Sequence, residues 1–338
     1  QQSMLVILSG VDSPVLRIVS VLLAICFIIF NIKGLYRVLT VDLLAGNFFS
    51  IFVLYAILQI FLSSIFTHDE PLFGALICIL FTITVCPVIF ECRKPLILAI
   101  PYIVFAVFII ARLFYVNFDI RYVFINSQNW VSFYGLLLFL PYVFSCFRNN
   151  QRISIILVLT LIGLSVFSHS RSGILASLLL ALSTFPFQRR RAYTFVIFLV
   201  AIVISAYLFS TATHDEYMDR FSSVQSFFSL TTRSLIISDV LASLDWYNLF
   251  LGISYKQITM TTYITTNLHN SYLNMFLGMG FVGMLLFFIL VVEALIFFLR
   301  NNLFYFFVLL AVLLRIFTDS GALFNFFDMA YLAICAFL

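Results

Sequence analysis

Apolar residues run in long blocks separated by short polar stretches. The blocks fall near 15–30, 43–66, 72–90, 96–114, 130–147, 153–167, 174–187, 193–209, 273–299, 303–318 and 325–338. A helix that crosses a bilayer needs about 20 mostly apolar residues. Backbone facing lipid must satisfy its own hydrogen bonds, which makes a helical reading nearly forced. The pattern predicts an all-α, polytopic integral membrane protein with about 11 transmembrane helices. Residues 1–338 read as one transmembrane domain. The stretch 210–268 reads as its one large loop, rich in Thr, Ser and Asp.

Composition agrees. The chain is 64% hydrophobic and 9% charged, whereas soluble domains carry about 25% charged residues. Phe alone occurs 43 times, a load that lipid tolerates and a soluble surface does not. The net charge of +4 is mild and implies no nucleic-acid partner. Charge placement says more. Arg189, Arg190 and Arg191 form the densest basic cluster and are expected in the cytoplasm. Alternate loops then put Lys33, Arg37, Arg93, Lys94, Arg148, Arg152 and Arg300 on the same side. The first span then runs outside to inside, so a further helix ahead of residue 1 is expected. All four histidines (His68, His169, His214, His269) and the remaining basic residues fall on the outer side, where function is expected. The six cysteines show no CxxC spacing, so neither a disulfide framework nor a zinc site is expected.

Few polar groups could do chemistry in such a chain. Ser168-His169-Ser170-Arg171-Ser172-Gly173 interrupts the stretch 153–187, leaving flanks of 14 or 15 apolar residues. Such flanks make about 22 Å of helix, against a hydrocarbon core about 30 Å thick. The break is therefore expected to dip below the outer surface. Arg171 at that depth needs a cavity or a partner, and a phosphate would suit it. Arg233 opens a short amphipathic helix expected to run through Leu244, with a turn at Leu251-Gly252-Ile253. His269 follows Thr265, Thr266 and Asn267, any of which can cap the next helix. The positive end of a helix dipole favours neutral imidazole, the form that accepts a proton. Gly278, Gly280 and Gly283 read as close-packing positions, since a phosphate-binding glycine loop requires a preceding strand.

Arg315 and Asp319 stand four apart at an outer helix end, as an ion pair or as a further cation at the site. Arg112 and Arg121 flank another outer loop. The acidic clusters around His68 and His214 read as solvated loops, and no metal site is expected. No inverted repeat is visible, and polar groups crowd one face, which weighs against a transporter.

In order along the chain stand Ser170-Arg171, an outer loop with Arg233, Leu251-Gly252-Ile253, and His269-Asn270-Ser271-Tyr272-Leu273 with trailing glycines. This arrangement, over roughly residues 150–300, resembles the O-antigen polymerase and ligase superfamily (Wzy-like and WaaL-like proteins). The resemblance implies a GT-C-like glycosyltransferase of the bacterial inner membrane with its active site facing the periplasm. It implies that His269 activates an acceptor hydroxyl and that Arg171 and Arg233 bind a diphosphate, without metal or cofactor. Arg315, His169, Asn270, Tyr272, Arg112 and Arg121 are the further substrate-binding candidates. The partners implied are undecaprenyl-diphosphate-linked glycan donor and acceptor, with a chain-length regulator protein as a further candidate. The loop 210–268 is short for a bulky lipid A–core acceptor, so polymerisation is favoured over ligation. A lipid-linked oligosaccharide flippase is the rival of another class.

Overall fold

The structure, a computed structural model, describes residues 48–67, 94–115, 129–168, 170–184, 244–252 and 271–317, parts of 22–37, and residues 80, 92 and 242. Among them every regular element is helical and none is a strand. The helices are α1 (Ile32–Arg37), α2 (Phe48–Thr67), α3 (Pro95–Tyr115), α4 (Asn129–Arg148), α5 (Ile155–Phe167), α6 (Arg171–Ser183), α7 (Trp246–Leu251), α8 (Ser271–Asn301) and α9 (Leu303–Phe317). Seven of the expected apolar blocks are thus helices. The blocks 193–209 and 325–338, and all but residue 80 of 72–90, lie outside the described residues. Three described segments are long and apolar enough to cross a membrane: Pro95–Tyr115, Trp130–Arg148 and Met275–Asn301. Shorter apolar helical stretches are Phe49–Gln59 in α2, Ile155–Phe167, Ser172–Ser183 and Leu303–Ile316.

The side chains of α3 show which solvent this fold was built for. Ala99, Tyr102, Phe105, Ala106, Ile109 and Leu113 recur at helical spacing and are buried against α4 and α5. The opposite face is exposed yet equally apolar, with Leu96, Ile100, Val107 and Phe114. A soluble helix would turn polar residues outward there, whereas lipid accepts the apolar ones. α4 lies between α3, α5 and α6, and α9 lies between α6 and α8. Aromatic contacts knit one end of this bundle, where Phe147 stacks on Phe304 with centroids 4.0 Å apart. There the ends of α4 and α8, carrying Arg148 and Arg300, come together. Ser145 and Asn149 both donate to the Cys92 carbonyl, drawing Lys94 to the same end. These basic residues therefore share one face, as their alternation predicts.

The long apolar block 273–299 is not one continuous helix. Gly280 adopts φ 63° and ψ −173°, which breaks α8 into limbs 271–279 and 281–301. The chain reverses there. The Tyr272 ring stacks parallel on Phe288 with centroids 6.3 Å apart and lies 6.0 Å from Phe287. Sixteen residues of straight helix would separate Tyr272 from Phe288 by about 24 Å. Limb 271–279 therefore runs antiparallel to the top of limb 281–301. α7 seats on the apex. Gly252, at φ 85°, lies against the Leu277 carbonyl and the backbone of Gly278 and Gly280. Gly280 in turn lies against the Phe250 carbonyl. Tyr55 of α2 donates to the Met279 carbonyl at 2.8 Å, beside the break. The expected helix from Arg233 to Leu244 lies almost wholly outside the described residues. The helix observed in this region, α7, follows Asp245 and holds Leu249 and Phe250 over the apex. A Cβ at Gly280 meets backbone on a left-handed φ. Gly280→Ala is thus expected to lose more than about 2 kcal/mol of stability. Gly163→Ala, in open space, should be neutral. Thermal unfolding of the two variants in detergent checks this.

Candidate functional site

Serines build the first wall of the site. Ser168 ends α5, its Oγ donating to the Ser165 carbonyl at 2.9 Å. Ser170 starts α6, its Oγ accepting from the Gly173 amide at 3.2 Å. Two helix ends are capped within three residues, so the chain turns back at once. Ser165 and Ser177 confirm the hairpin: their hydroxyls stand 2.7 Å apart across the buried α5–α6 interface. Each helix has 13 residues. That makes about 20 Å of helix, about 10 Å less than a bilayer core. The dip expected for the Ser-Arg segment is thus consistent with its observed length. α6 begins at Arg171 rather than at 174, so the break is shorter than the apolar pattern implied. Arg171 is the first helical residue, and its side chain lies outside the described atoms.

The second wall is the last turn of α9. Arg315 is only 1% exposed. Its Nη1 donates to Ser172 Oγ at 3.4 Å, and its Cζ sits 5.4 Å from the centroid of the Phe133 ring. A cation over an aromatic face and beside a hydroxyl is stabilised even when desolvated, by up to about 2 kcal/mol for the ring contact. Arg315 is therefore enclosed by α4, α6 and α9 rather than spread into headgroups. Asp319, its expected partner, lies outside the described residues. Two residues before Arg315, the Leu313 carbonyl accepts a 3.0 Å hydrogen bond from the Tyr272 hydroxyl.

One turn of α9 thus touches the start of α6 and the start of limb 271–279. α4 reaches the same place, since Ser132 lies against Gly173 and Phe133 beneath Arg315. Three helix N-termini converge there, each with the positive end of its dipole toward the cluster. The site's other candidates are placed as follows. Arg112 occupies the last turn of α3, half-exposed, and α3 packs chiefly on α4. His269, Asn270, Arg233, Arg121 and His169 lie outside the described residues. Among the described residues no three His, Cys, Asp or Glu gather as a metal site. Sequence reasoning did not find Ser132, Phe133, Ser172 or Leu313. Ser132 and Ser172 signal only by small size and polarity in an apolar stretch, which many residues here share, and Phe133 and Leu313 are ordinary apolar helix residues with no signal.

Comparison with known proteins adds one finding. Residues 155–288 match the family model described as O-antigen ligase. No curated protein matches the chain, and no solved structure does. The matched segment contains α5, α6, α7 and both limbs of α8 down to Phe288.

A Cβ on Gly173 would stand 2.6 Å from Ser132 Cβ. Gly173→Ala should push α6 from α4 and cost about 1–3 kcal/mol. Adding Ser132→Gly should recover most of the loss. Paired melting curves of the single and double variants test this.

Proposed function

Because the match of residues 155–288 to the O-antigen ligase family model supports the O-antigen polymerase and ligase superfamily, we propose that the protein is a polysaccharide polymerase. It transfers a growing glycan from undecaprenyl diphosphate to a lipid-linked repeat unit at the outer face of the inner membrane. The observation that carries this reading is the shared anchorage of the two motif segments. Ser172, next to Arg171, bonds Arg315, and Tyr272, three residues after His269, bonds Leu313. Three extended residues span at most about 11 Å, and this short link from Tyr272 supports the reading that His269 works beside the same turn of α9.

The chemistry follows from these residue types. The acceptor hydroxyl attacks the anomeric carbon of the donor sugar and a new C–O bond forms. The bond from that carbon to the diphosphate oxygen breaks, and its electron pair leaves with the diphosphate. His269, as neutral imidazole, takes the hydroxyl proton, which contributes about 10²- to 10⁴-fold. Diphosphate leaves well without a strong acid but builds charge on its bridging oxygen. Arg171 and Arg233 meet that charge with planar forks that stay protonated when partly desolvated. Cations already in place within a low-dielectric cleft are commonly the largest catalytic contribution.

Ligation of glycan to lipid A–core is the second reading, favoured by the description of the matched family. Nothing among the described residues favours a flippase. Cells lacking the polymerase should carry single repeats on lipid A–core. Cells lacking a ligase should carry bare core, with polymer still on carrier lipid. His269→Ala is expected to abolish polymer at unchanged protein level, and normal polymer would exclude the role. Arg171→Lys should lower transfer at least tenfold, because a point charge replaces a two-pronged donor.

A further inference from the structure

We infer that Arg315 and Tyr272 are positioning residues: the last turn of α9 sets the Ser-Arg segment against the His-Asn-Ser-Tyr segment, and neither side chain ligates the diphosphate. The inference rests on the functional reading above and goes further, because it separates the cations that meet substrate from the one that aligns them.

Three observations carry it. First, Arg315 is enclosed. With 1% of its surface exposed, one face on Phe133 and an Nη1 on Ser172, its guanidinium is closed off by protein. A phosphate ligand in a transfer site must be reachable by a substrate that comes and goes. Second, its partner is the residue after Arg171, in the first turn of α6. Ser172 is thereby fixed from one side by Arg315, while Gly173 is fixed from the other by Ser132 and by the Ser170 cap. The first turn of α6 is thus held at its cap, Ser170, and at Ser172 and Gly173, on both sides of Arg171. Third, the same turn of α9 holds the other segment. The Tyr272 hydroxyl is spent on the Leu313 carbonyl and its ring on Phe287 and Phe288. Limb 271–279 hangs from the Gly280 apex, and this bond fastens its free end.

Two segments far apart in sequence are thus referenced to one rigid helix turn. Alignment of base and diphosphate clamp matters mainly in the transition state. Ground-state hold on a lipid-linked donor comes largely from its carrier chain. Loosening the reference should therefore lower kcat and leave KM nearly unchanged. A misplacement of about 1 Å can cost about 10²-fold in rate.

The test uses the full chain purified in detergent, with lipid-linked units extracted from cells lacking the protein. Arg315→Lys, Ser172→Ala and Tyr272→Phe should each lower kcat at least tenfold. KM, and the affinity for undecaprenyl diphosphate alone, should stay within threefold. The Arg315→Lys, Ser172→Ala pair should lose no more than the worse single variant, because both break one link. Hydrogen exchange at the amides of residues 170–174 should quicken in Arg315→Lys. Affinity for undecaprenyl diphosphate that falls in step with rate would make Arg315 a phosphate ligand and overturn the inference, as would full activity in all three variants. Unchanged exchange at 170–174 would also overturn it, whatever the activity. Wild-type protein that transfers no glycan overturns the functional reading instead, and the exchange result still judges the anchorage.

Discussion

A guanidinium cannot rest in hydrocarbon, and that constraint organises the centre of this protein. Arg315 stands near the end of a 15-residue helix, about 18 Å along it from its other end. At such depth it must be surrounded by groups that accept its charge. Phe133 supplies a ring face from α4 and Ser172 a hydroxyl from α6. For both to reach one cation, α4, α6 and α9 must approach closely, and small residues permit it. Gly173 and Ser132 touch where any larger pair would hold the helices apart. The buried charge and the small-residue seam are two sides of one packing solution.

Length is the second constraint. α5, α6 and α9 are all shorter than a bilayer core, while α3 and α4 match it. Short helices leave depth unfilled above their ends. Limb 271–279 enters that depth from above, folded back over Gly280. Polar backbone inside a membrane is tolerated where it borders protein or a wet cavity. The short hairpin and the folded limb are therefore compatible only because each lines the other's gap. α7 closes the apex with glycine-to-glycine contact, and Tyr55 donates to the carbonyl beside the break.

Much of this could be read from residue order. The serine run at 168–172 is a double cap in an apolar stretch, and caps are local chemistry. Equal apolar flanks gave the helix lengths to within a few residues, and basic residues gave the shared end. The reversal at Gly280 was not legible. Glycine tolerates both a straight close-packed helix and a left-handed φ, and the choice between them was made by Gly252, which docks from another segment. The setting of Arg315 was hidden for a related reason. An arginine near a helix end reads alike whether it snorkels or turns inward. Its partners Phe133 and Ser172 lie on α4 and α6, and no periodicity in α9 announces them.

Depth also bears on why such chemistry would be carried by fixed arginines. Two opposite charges attract several-fold more strongly at an effective dielectric of about 20 than in water at about 80. A diphosphate drawn below the headgroups gains from that, but only if the cations need not reorganise to meet it. A side chain enclosed by protein, as Arg315 is, is hard for an arriving anion to reach but makes a good fixed reference. Through Ser172 it holds the first turn of α6 in place.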